Sequence, residues 1–274
     1  MEQSRSHTKV GIYVDSSNLY YNGGWKMQYD VLRDFACRDG AEPVRMNAYV
    51  SFDRERAQED IMYRNKAVSF HDALRNLGYK VVIKEVIRYK DESGEIYTKA
   101  NADIDIVVDM MLQSEYLDRV LLATGDGDFV RVVRALQDRG VRVELLAFNN
   151  VSQALRHEAD LFTSGYIVPN LMPVSTEFDR DQWGQSDTTV RGWCSRYNPE
   201  KGIGTMTWLK SIPPSLYLTD IRNSEYFGSA FFHFSELYNS SVQQYLPSTR
   251  HIFEFEISEN ERGFKAEQIK LLTY

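Results

Sequence analysis

The sequence predicts an α/β domain with a mainly parallel sheet, followed by a small all-β barrel or sandwich. Between residues 10 and 168, short apolar strands alternate with segments of helical periodicity, which is typical of βαβ units. From Val190 onward, short strand-like runs are separated by turns that contain Gly, Pro and Asn. The stretch 171–187 has no clear periodicity, so we expect a first domain at 8–170, a linker at 171–187 and a second domain at 188–274.

The first domain is expected to start with strand KVGIYVD, which ends at Asp15, and strand VRMNAYVSF at 44–52. A helix over about 55–77, closed by Gly78, leads into a third strand, YKVVIKEVIRYK. A helical segment at 104–112 then carries one apolar stripe, formed by Ile104, Val107, Val108, Met111 and Leu112. The remaining elements are strand RVLLAT, a helix over about 128–139, strand VRVELLAF, helix NVSQALRHEAD and a strand near GYIVP.

The composition is that of an ordinary globular protein, with 43% apolar and 26% charged residues among 274. The formal net charge of -7 argues against simple electrostatic adhesion to nucleic acid or to anionic lipid. Cys37 and Cys194 fit no metal-ligand spacing and indicate a reducing compartment. Because no signal peptide and no membrane-spanning stretch is recognisable, we expect a cytoplasmic protein without a membrane partner.

Acidic residues stand where an α/β fold builds its sites. Asp15 ends the first strand, Asp126 and Asp128 follow strand RVLLAT, and Asp103 begins a helix. Residues just past the carboxyl ends of parallel strands line the crevice in which ligands bind. Converging carboxylates favour Mg²⁺ or Mn²⁺, and such an ion supports the hydrolysis of a phosphodiester.

Each acid also has a plainer interpretation. Asp15, Asp126 or Asp128 could simply cap a helix, because Asp is a favoured N-cap residue. The row formed by Asp105, Asp109 and Gln113 could be a solvated helix face. Three acidic strand or helix ends in one domain are harder to attribute to capping, so we favour a shared metal site.

The blocks IYVDSSNLYY, KANADIDIVVDMM and LLATGDGDFVRVVRALQDRGVRVEL resemble the three signatures of the NYN domain, and above all its LabA-like group. The resemblance covers roughly residues 8–170 and implies a PIN-like nuclease fold. It implies metal ligation by Asp15, Asp103 and Asp126, with Asp128 close by, and an active-site role for all four carboxylates. It further implies supporting roles for Asn18 and Thr124 and a phosphate contact for Lys99, which could instead pair with Asp103.

The segments VRGWCSRYNPEKGIGTMTWL, SAFFHFSEL and FEFEISENERGFKAEQIKLL resemble a cold-shock domain, which is an OB-type barrel. That family stacks bases of single-stranded RNA on surface aromatic residues. The stacking surface is reduced here, because Arg196, Ile203 and Thr205 stand where the family has aromatic residues. The alternative is a structural barrel whose rings fill its own core or a dimer interface. The RNA contacts implied are Arg196, Tyr197, Lys201, Phe231, His233 and Phe234.

Lys84, Arg88 and Lys90 alternate along the third strand, where they could flank a phosphate path or form a solvated strand face. Taken together, these patterns predict a metal-dependent ribonuclease that hydrolyses phosphodiester bonds of single-stranded RNA and uses the second domain to hold it. The alternative is a non-catalytic RNA-binding or regulatory protein on a nuclease-like fold. DNA or a small phosphoester as substrate, and assembly into a homo-oligomer, are left open.

Overall fold

The computed structural model describes residues 7–90, 96–99, 102–174, 179–214, 225–261 and 263–273, and the side chains of 87–90 and 96–99 lie outside that description. The chain forms two compact units. The first consists of the residues through Trp25 together with Leu32–Thr163. The second consists of Lys26–Val31 and Ser164–Tyr274.

A six-stranded parallel sheet in the order β3-β2-β1-β6-β7-β8 organises the first unit. Its strands are β1 (Lys9–Asp15), β2 (Glu42–Phe52), β3 (Lys80–Glu85), β6 (Arg119–Ala123), β7 (Arg142–Ala147) and β8 (Leu161–Ser164). A separate antiparallel hairpin joins β4 (Ile87–Lys90) to β5 (Ile96–Lys99). The helices of the chain are α1 (Ser16–Leu19), α2 (Tyr29–Ala36), α3 (Arg54–Glu59), α4 (Ile61–Asn76), α5 (Asp103–Gln113), α6 (Val130–Gln137) and α7 (Gln153–Glu158).

Strand β1 lies at the centre of this sheet, between β2 and β6. Every residue of β1 after Lys9 is buried, and every residue of β6 is buried. Strands covered on both faces are expected to be continuously apolar, as VGIYV and VLLA are. Val14 pairs with Ala123, so Asp15 and Thr124 leave the sheet side by side at its carboxyl edge.

The predicted elements are largely present, with four differences. The helix expected over about 55–77 is two helices, because the Asp60 side chain accepts a hydrogen bond from the backbone of Tyr63 and starts α4 afresh. The third strand ends at Glu85, and the residues after it form the hairpin. The last strand of the parallel sheet, β8, ends at Ser164 directly before GYIVP, whose first residues form a 3-10 turn. Helix α2 was not anticipated, and Gly78 and Gly140 close their helices with positive φ as expected.

Helix α5 differs most from its predicted orientation. Ile106 and Met110 are buried against the sheet, whereas Ile104, Val108 and Leu112 of the predicted stripe are exposed. The row of Asp105, Asp109 and Gln113, for which a solvated face was one interpretation, contacts protein. The hydroxyl of Tyr49 donates to Asp109 at 2.8 Å, that of Tyr13 donates to Gln113 at 3.0 Å, and Asp105 pairs with Lys84. The tyrosine hydroxyls on the sheet need acceptors, and this decides which helix face turns inward.

The second unit contains a closed five-stranded barrel in the order β10-β11-β13-β12-β9. All neighbouring strands are antiparallel except β11 and β13, which are parallel. Its strands are β9 (Thr188–Asn198), β10 (Ile203–Leu209), β11 (Phe227–His233), β12 (Ser248–Asn260) and β13 (Gly263–Leu271). The structure thus agrees with the predicted fold class of an α/β domain with a parallel sheet followed by an all-β barrel.

The barrel interior is filled by large apolar side chains, among them Trp208, Phe232, Phe253 and Phe255. Gly192 is required where β9 meets β10, since a Cβ there would lie 2.0 Å from the carbonyl oxygen of Thr207. None of the described helices of either unit is both long enough and apolar enough to cross a membrane.

Candidate active site

The carboxyl edge of the parallel sheet carries the residues that the sequence singled out. Asp15 ends β1 and is buried, and its Oδ1 accepts a 3.0 Å hydrogen bond from the backbone N–H of Asn18, which caps α1. Its Oδ2 accepts a hydrogen bond of 3.3 Å from the Thr124 hydroxyl. Asp15 is therefore a helix cap, as the plainer interpretation held, and it is also joined to the turn that follows β6.

The turn after β6 is built around two glycines and two acids. The carboxylate of Asp126 accepts a 3.0 Å hydrogen bond from the backbone N–H of Asp128 and so starts a short 3-10 turn. The Thr124 hydroxyl also accepts a hydrogen bond of 3.3 Å from the N–H of Asp126. Capping uses Asp126 rather than Asp128, which remains exposed. A carboxylate has about four lone-pair directions, so capping leaves Asp126 able to bind a further ligand.

Asp103, Asp126 and Asp128 form one acidic group. Each offers a carboxylate oxygen, and the three oxygens lie within 4.8 Å of one another. Asp103 is the first residue of α5, where the helix dipole favours a carboxylate. Asp15 is not in this mutual group among the described residues, although it was predicted to be a core ligand.

The donor set of the acidic group fits a hard divalent cation. Three carboxylates so close repel one another unless a cation lies between them, and oxygen ligands are those that Mg²⁺ and Mn²⁺ prefer. Asp103 and Asp126 are half-buried and Asp128 is exposed, so water and substrate have access to the group. Carboxylates with an open side can bind such an ion while it keeps part of its hydration.

Asp15 has a different electrostatic environment from the acidic group. Burial raises the pKa of its carboxyl above the usual range, and the nearby charge of Asp126 raises it further. Hydrogen bonds from the Asn18 N–H and the Thr124 hydroxyl oppose that rise. The negative charge of Asp126 therefore acts on the Asp15 carboxyl, and this repulsion links the buried cap to the acidic group.

The Asn18 side chain holds the turn after β6 in place. Its Oδ1 accepts a 2.9 Å hydrogen bond from the backbone N–H of buried Gly125. A Cβ at Gly125 would lie 3.2 Å from the carbonyl oxygen of Asn150, and one at Gly127 would lie 2.7 Å from the Ser152 hydroxyl. A side chain at Gly127 would force the Ser152 side chain to move, and one at Gly125 would press on the Asn150 carbonyl, so both glycines favour the close approach of the loop that follows β7.

The loop after β7 is a third wall of the site that sequence reasoning missed. The N–H of Asn149 donates 2.8 Å to the carbonyl of Asn22, and the Asn150 side chain donates 2.9 Å to the Asn22 side chain. The N–H of Ser152 donates 2.9 Å to the carbonyl of Gly125. The pair of asparagines directly after strand VRVELLAF was the available signal, because it stands at the same edge of the sheet.

Among the basic residues of the first unit predicted to contact phosphate, Lys84 alone has a described side chain. Lys84 is paired with Asp105 of α5. The side chains of Arg88 and Lys90 on β4, and of Lys99 on β5, lie outside the described residues. The predicted phosphate contacts of Lys84, Arg88 and Lys99 therefore stay predictions.

The outer side of the barrel gathers three of the predicted RNA contacts, Arg196 on β9 and Phe231 and His233 on β11. Directly paired residues share one face of a sheet, and residues two apart along a strand share it too. One row pairs Arg196 with Thr205 and Thr205 with Phe231, and the next pairs Asn198 with Ile203 and Ile203 with His233. We call these six residues the barrel face.

The aromatic residues predicted to contact RNA differ in how much of their rings is exposed to solvent. Phe231 is 50% exposed and Phe234 is 44% exposed, and the Phe234 ring lies close over Gly202. His233 lies 4.5 Å from the Phe234 ring, between ring centroids. Tyr197 is half-buried and stacks on Phe232 inside the barrel, so it offers less of its ring than Phe231 does. Arg196 and Lys201 are exposed beside these rings.

Comparison with known proteins identifies relatives of this chain. Residues 9–170 match the NYN domain. The chain is 30% identical over 162 residues to Low amplitude and bright protein LabA of Synechococcus elongatus, a match that covers 57% of this chain and 82% of that protein. A solved structure of a protein of unknown function from Vibrio parahaemolyticus is 27% identical, with a TM-score of 0.49, over 64% of this chain and 98% of that one.

The family match spans more than half of the chain and contains Asp15, Asp103, Asp126 and Asp128. The resemblance to the NYN domain and to the LabA-like group is thereby confirmed. The domain belongs to the PIN-like nuclease superfamily, so the protein is nuclease-like. This chain is therefore a member of the NYN domain family, with a closed five-stranded barrel after its NYN domain.

Proposed function

We propose that the protein is a metal-dependent ribonuclease that hydrolyses phosphodiester bonds of single-stranded RNA. The observation that carries the proposal is the acidic group, in which oxygens of Asp103, Asp126 and Asp128 lie within 4.8 Å of one another. Three carboxylates at the carboxyl edge of a parallel sheet stand where such sheets bind ligands. Membership of the NYN family supports the same chemistry.

Mg²⁺ or Mn²⁺ is the cofactor that the acidic group suits. When bound, such an ion neutralises charge on the phosphate and makes a nucleophile available at neutral pH. Asp103, Asp126 and Asp128 would hold it from α5 and from the turn after β6. Asp15 would support the turn through its hydrogen bond with the Thr124 hydroxyl and would add negative charge near the ion. It would become a ligand itself if its buried carboxylate turns toward the ion.

Asn18 and Thr124 would keep the turn in the productive geometry. Thr124 bonds both Asp15 and the N–H of Asp126, and Asn18 bonds the N–H of Gly125. These contacts fix the backbone of the turn, and the hydrogen bond from the Asp128 N–H restrains the Asp126 carboxylate itself. Holding ligands in place before the ion binds is the usual contribution of such supporting residues.

The barrel would hold single-stranded RNA. The exposed rings of Phe231 and Phe234 suit stacking on bases, and Arg196 and Lys201 beside them suit the phosphate backbone. The likeness to cold-shock domains favours RNA over other polymers. Residues 188–274 hold nine basic and nine acidic residues, so charge alone does not attract RNA and the stacking rings must contribute.

The test is RNA cleavage by the full chain in Mn²⁺, in Mg²⁺ and with chelator. Asp126→Asn is expected to abolish cleavage while the melting temperature stays within a few degrees, because the amide keeps the cap acceptor and loses the charge. Asp128→Asn is expected to reduce cleavage less, since Asp128 is the exposed member of the group. The matched control is Asp138→Asn, an exposed acid at the end of α6.

A second candidate is a non-catalytic RNA-binding protein that keeps these acids for structure. It is favoured by one observation, namely that Asp15 and Asp126 both serve as caps. RNA binding without any cleavage in either metal would support this candidate and exclude a ribonuclease. Wild-type-like cleavage by Asp126→Asn would instead show that the acidic group is not the catalytic site. Parallel assays with DNA decide whether the sugar matters.

A further inference from the structure

Exposed aromatic rings follow the site residues of β1 and α1 directly. Tyr20 is 55% exposed and Tyr21 is 82% exposed, in the wide helical turn Tyr20–Gly24 that continues α1. Their rings pack edge to face, with centroids 5.3 Å apart. We call Tyr20 and Tyr21 the tyrosine pair. Large rings are normally buried, so two adjacent exposed rings beside a candidate site need an explanation.

The tyrosine pair lies next to the machinery of the acidic group. Asn18, which bonds Gly125 of the turn, precedes Tyr21 by three residues, which is about one helical turn or about 4.5 Å along the axis. Residues three apart on a helix share a face. Tyr21 thus follows, by about one helical turn, the asparagine that fixes the turn carrying Asp126.

The turn that carries the tyrosine pair is held firmly. The Asn22 side chain donates 2.7 Å to the carbonyl of Asn18, and Asn22 also accepts hydrogen bonds from Asn149 and from Asn150 in the loop after β7. A Cβ at Gly24 would lie 2.7 Å from the Phe148 ring, so the backbone is packed closely there. Rings on a fixed backbone lose little freedom when a base stacks on them.

We propose that the tyrosine pair is a stacking site for an unpaired base of the RNA whose phosphate lies at the acidic group. This inference rests on the proposed function, because it needs a nucleic acid at that site. A base is the ligand that fits: it offers a flat π-face to an exposed ring, and stacking tolerates any base. The tyrosine pair belongs to the first unit, and the barrel face belongs to the second.

The site would give the enzyme its preference for single strands. A base inside a duplex is stacked on its neighbours and cannot reach a ring without unpairing, which carries a free-energy cost. A base of a single strand is already free to stack on Tyr21. The tyrosine pair would thus select unpaired segments at the point of cleavage, whatever the barrel holds elsewhere.

The experiment uses the full chain and a short single-stranded RNA that carries one 2-aminopurine, placed in turn at each position. Stacking on a ring quenches its fluorescence. Tyr21→Ala is expected to abolish the quenching at one position, to weaken binding about 5- to 150-fold, and to raise KM with kcat little changed. Tyr21→Phe keeps the ring and should behave as the wild type. Tyr116→Ala is the matched control, because Tyr116 is 62% exposed but precedes β6, at the opposite edge of the sheet.

An RNA that is abasic at the responsive position supplies the decisive comparison. Its binding should be insensitive to Tyr21→Ala, because no base remains to stack. Equal quenching and equal KM in Tyr21→Ala and Tyr116→Ala would overturn the inference, as would a change of oligomeric state in Tyr21→Ala without an effect on RNA. If Tyr21→Ala loses the quenching but the wild type cleaves no RNA, the proposed nuclease activity is disproved and the base-stacking site is supported. If the wild type neither binds nor cleaves RNA, both the proposed activity and the base-stacking site are disproved.

Discussion

The backbone N–H of Gly125 donates a 2.9 Å hydrogen bond to Oδ1 of Asn18, which joins two turns that are 107 positions apart in the chain. One turn follows β1 and the other follows β6, and the two strands are neighbours in the sheet. The contact satisfies a buried donor and fixes the turn that carries Asp126. The candidate site is therefore held together by the asparagine and not by its acids alone.

Removing this contact should weaken the site more than the fold. Asn18→Ala leaves the Gly125 N–H without its partner, at a cost of about 1–3 kcal/mol in the free energy of unfolding. We expect Mn²⁺ affinity and RNA cleavage to fall about 10- to 100-fold, as when other groups that orient metal ligands are removed. Calorimetric titration with Mn²⁺ and a cleavage assay measure both. Asn18→Asp, which keeps an acceptor oxygen, should lose less affinity, and unchanged affinity in Asn18→Ala would contradict the prediction.

A buried ion cluster at the other end of the sheet should dominate the stability of the first unit. Glu144 bonds Arg38 at 2.7 Å and Arg142 at 3.1 Å, and the side chains of Glu144 and Arg38 are 2% and 3% exposed. Glu144→Ala leaves buried arginines without their counter-charge, which costs about 3–5 kcal/mol. Urea unfolding measures the loss. Asp72→Ala, which breaks an exposed pair with Arg75, is the control, with an expected cost below about 1 kcal/mol. Equal costs for the two variants would disprove the prediction.

Phe231 of the barrel face should contribute to RNA binding. Its ring is half exposed and paired across the strands with Thr205, so it is the most accessible ring of that face. Phe231→Ala should weaken binding of single-stranded RNA by about 1–3 kcal/mol, the value of one stacked base. Fluorescence anisotropy with chelator present measures this without cleavage. Tyr238→Ala serves as control, since Tyr238 is 80% exposed but lies outside the barrel face. An equal loss in the control would mean that any exposed ring suffices.

Acid should destabilise the protein partly through His71. Burial lowers the pKa of this imidazole in the folded state, Arg75 lowers it further, and Asp72 opposes them. The unfolded chain then takes up a proton near pH 6.5 before the folded chain does, so stability is lost as pH falls below about 6.5 toward the folded pKa. His71→Leu should show a smaller drop in unfolding free energy from pH 7.5 to pH 5. Urea melts at both values test it, and parallel pH profiles would show that His71 contributes nothing.

Much of the fold and part of the site follow from local patterns in the chain. Alternating apolar strands and helices predict a parallel sheet, and a parallel sheet brings Asp15 and Asp126 to one edge. The acids therefore needed no long-range information to be proposed. Helix capping could also be predicted from the sequence, because the capping side chain bonds a backbone N–H only two or three residues further along the chain.

The orientation of α5 was not predictable in the same way. Its exposed stripe of Ile104, Val108 and Leu112 has the periodicity of a core face, yet the acids of the helix turn inward. Periodicity reports apolar burial only, and here Tyr13 and Tyr49 supply hydroxyls that Gln113 and Asp109 satisfy. Polar partners that lie 60 to 100 positions away in the chain leave no local signal.

The sequence by itself determined the kind of protein this is, namely an α/β NYN domain with acids at strand and helix ends, followed along the chain by a small barrel. It did so because strand pattern, strand-end position and signature blocks are properties of neighbouring residues. Only the tertiary structure decided that Asp103 joins Asp126 and Asp128, that Asp15 caps a helix beside them, and that Asn18 and Asn22 tie three loops together. Distances between side chains on separate elements depend on how those elements pack, and packing is settled by the whole chain at once.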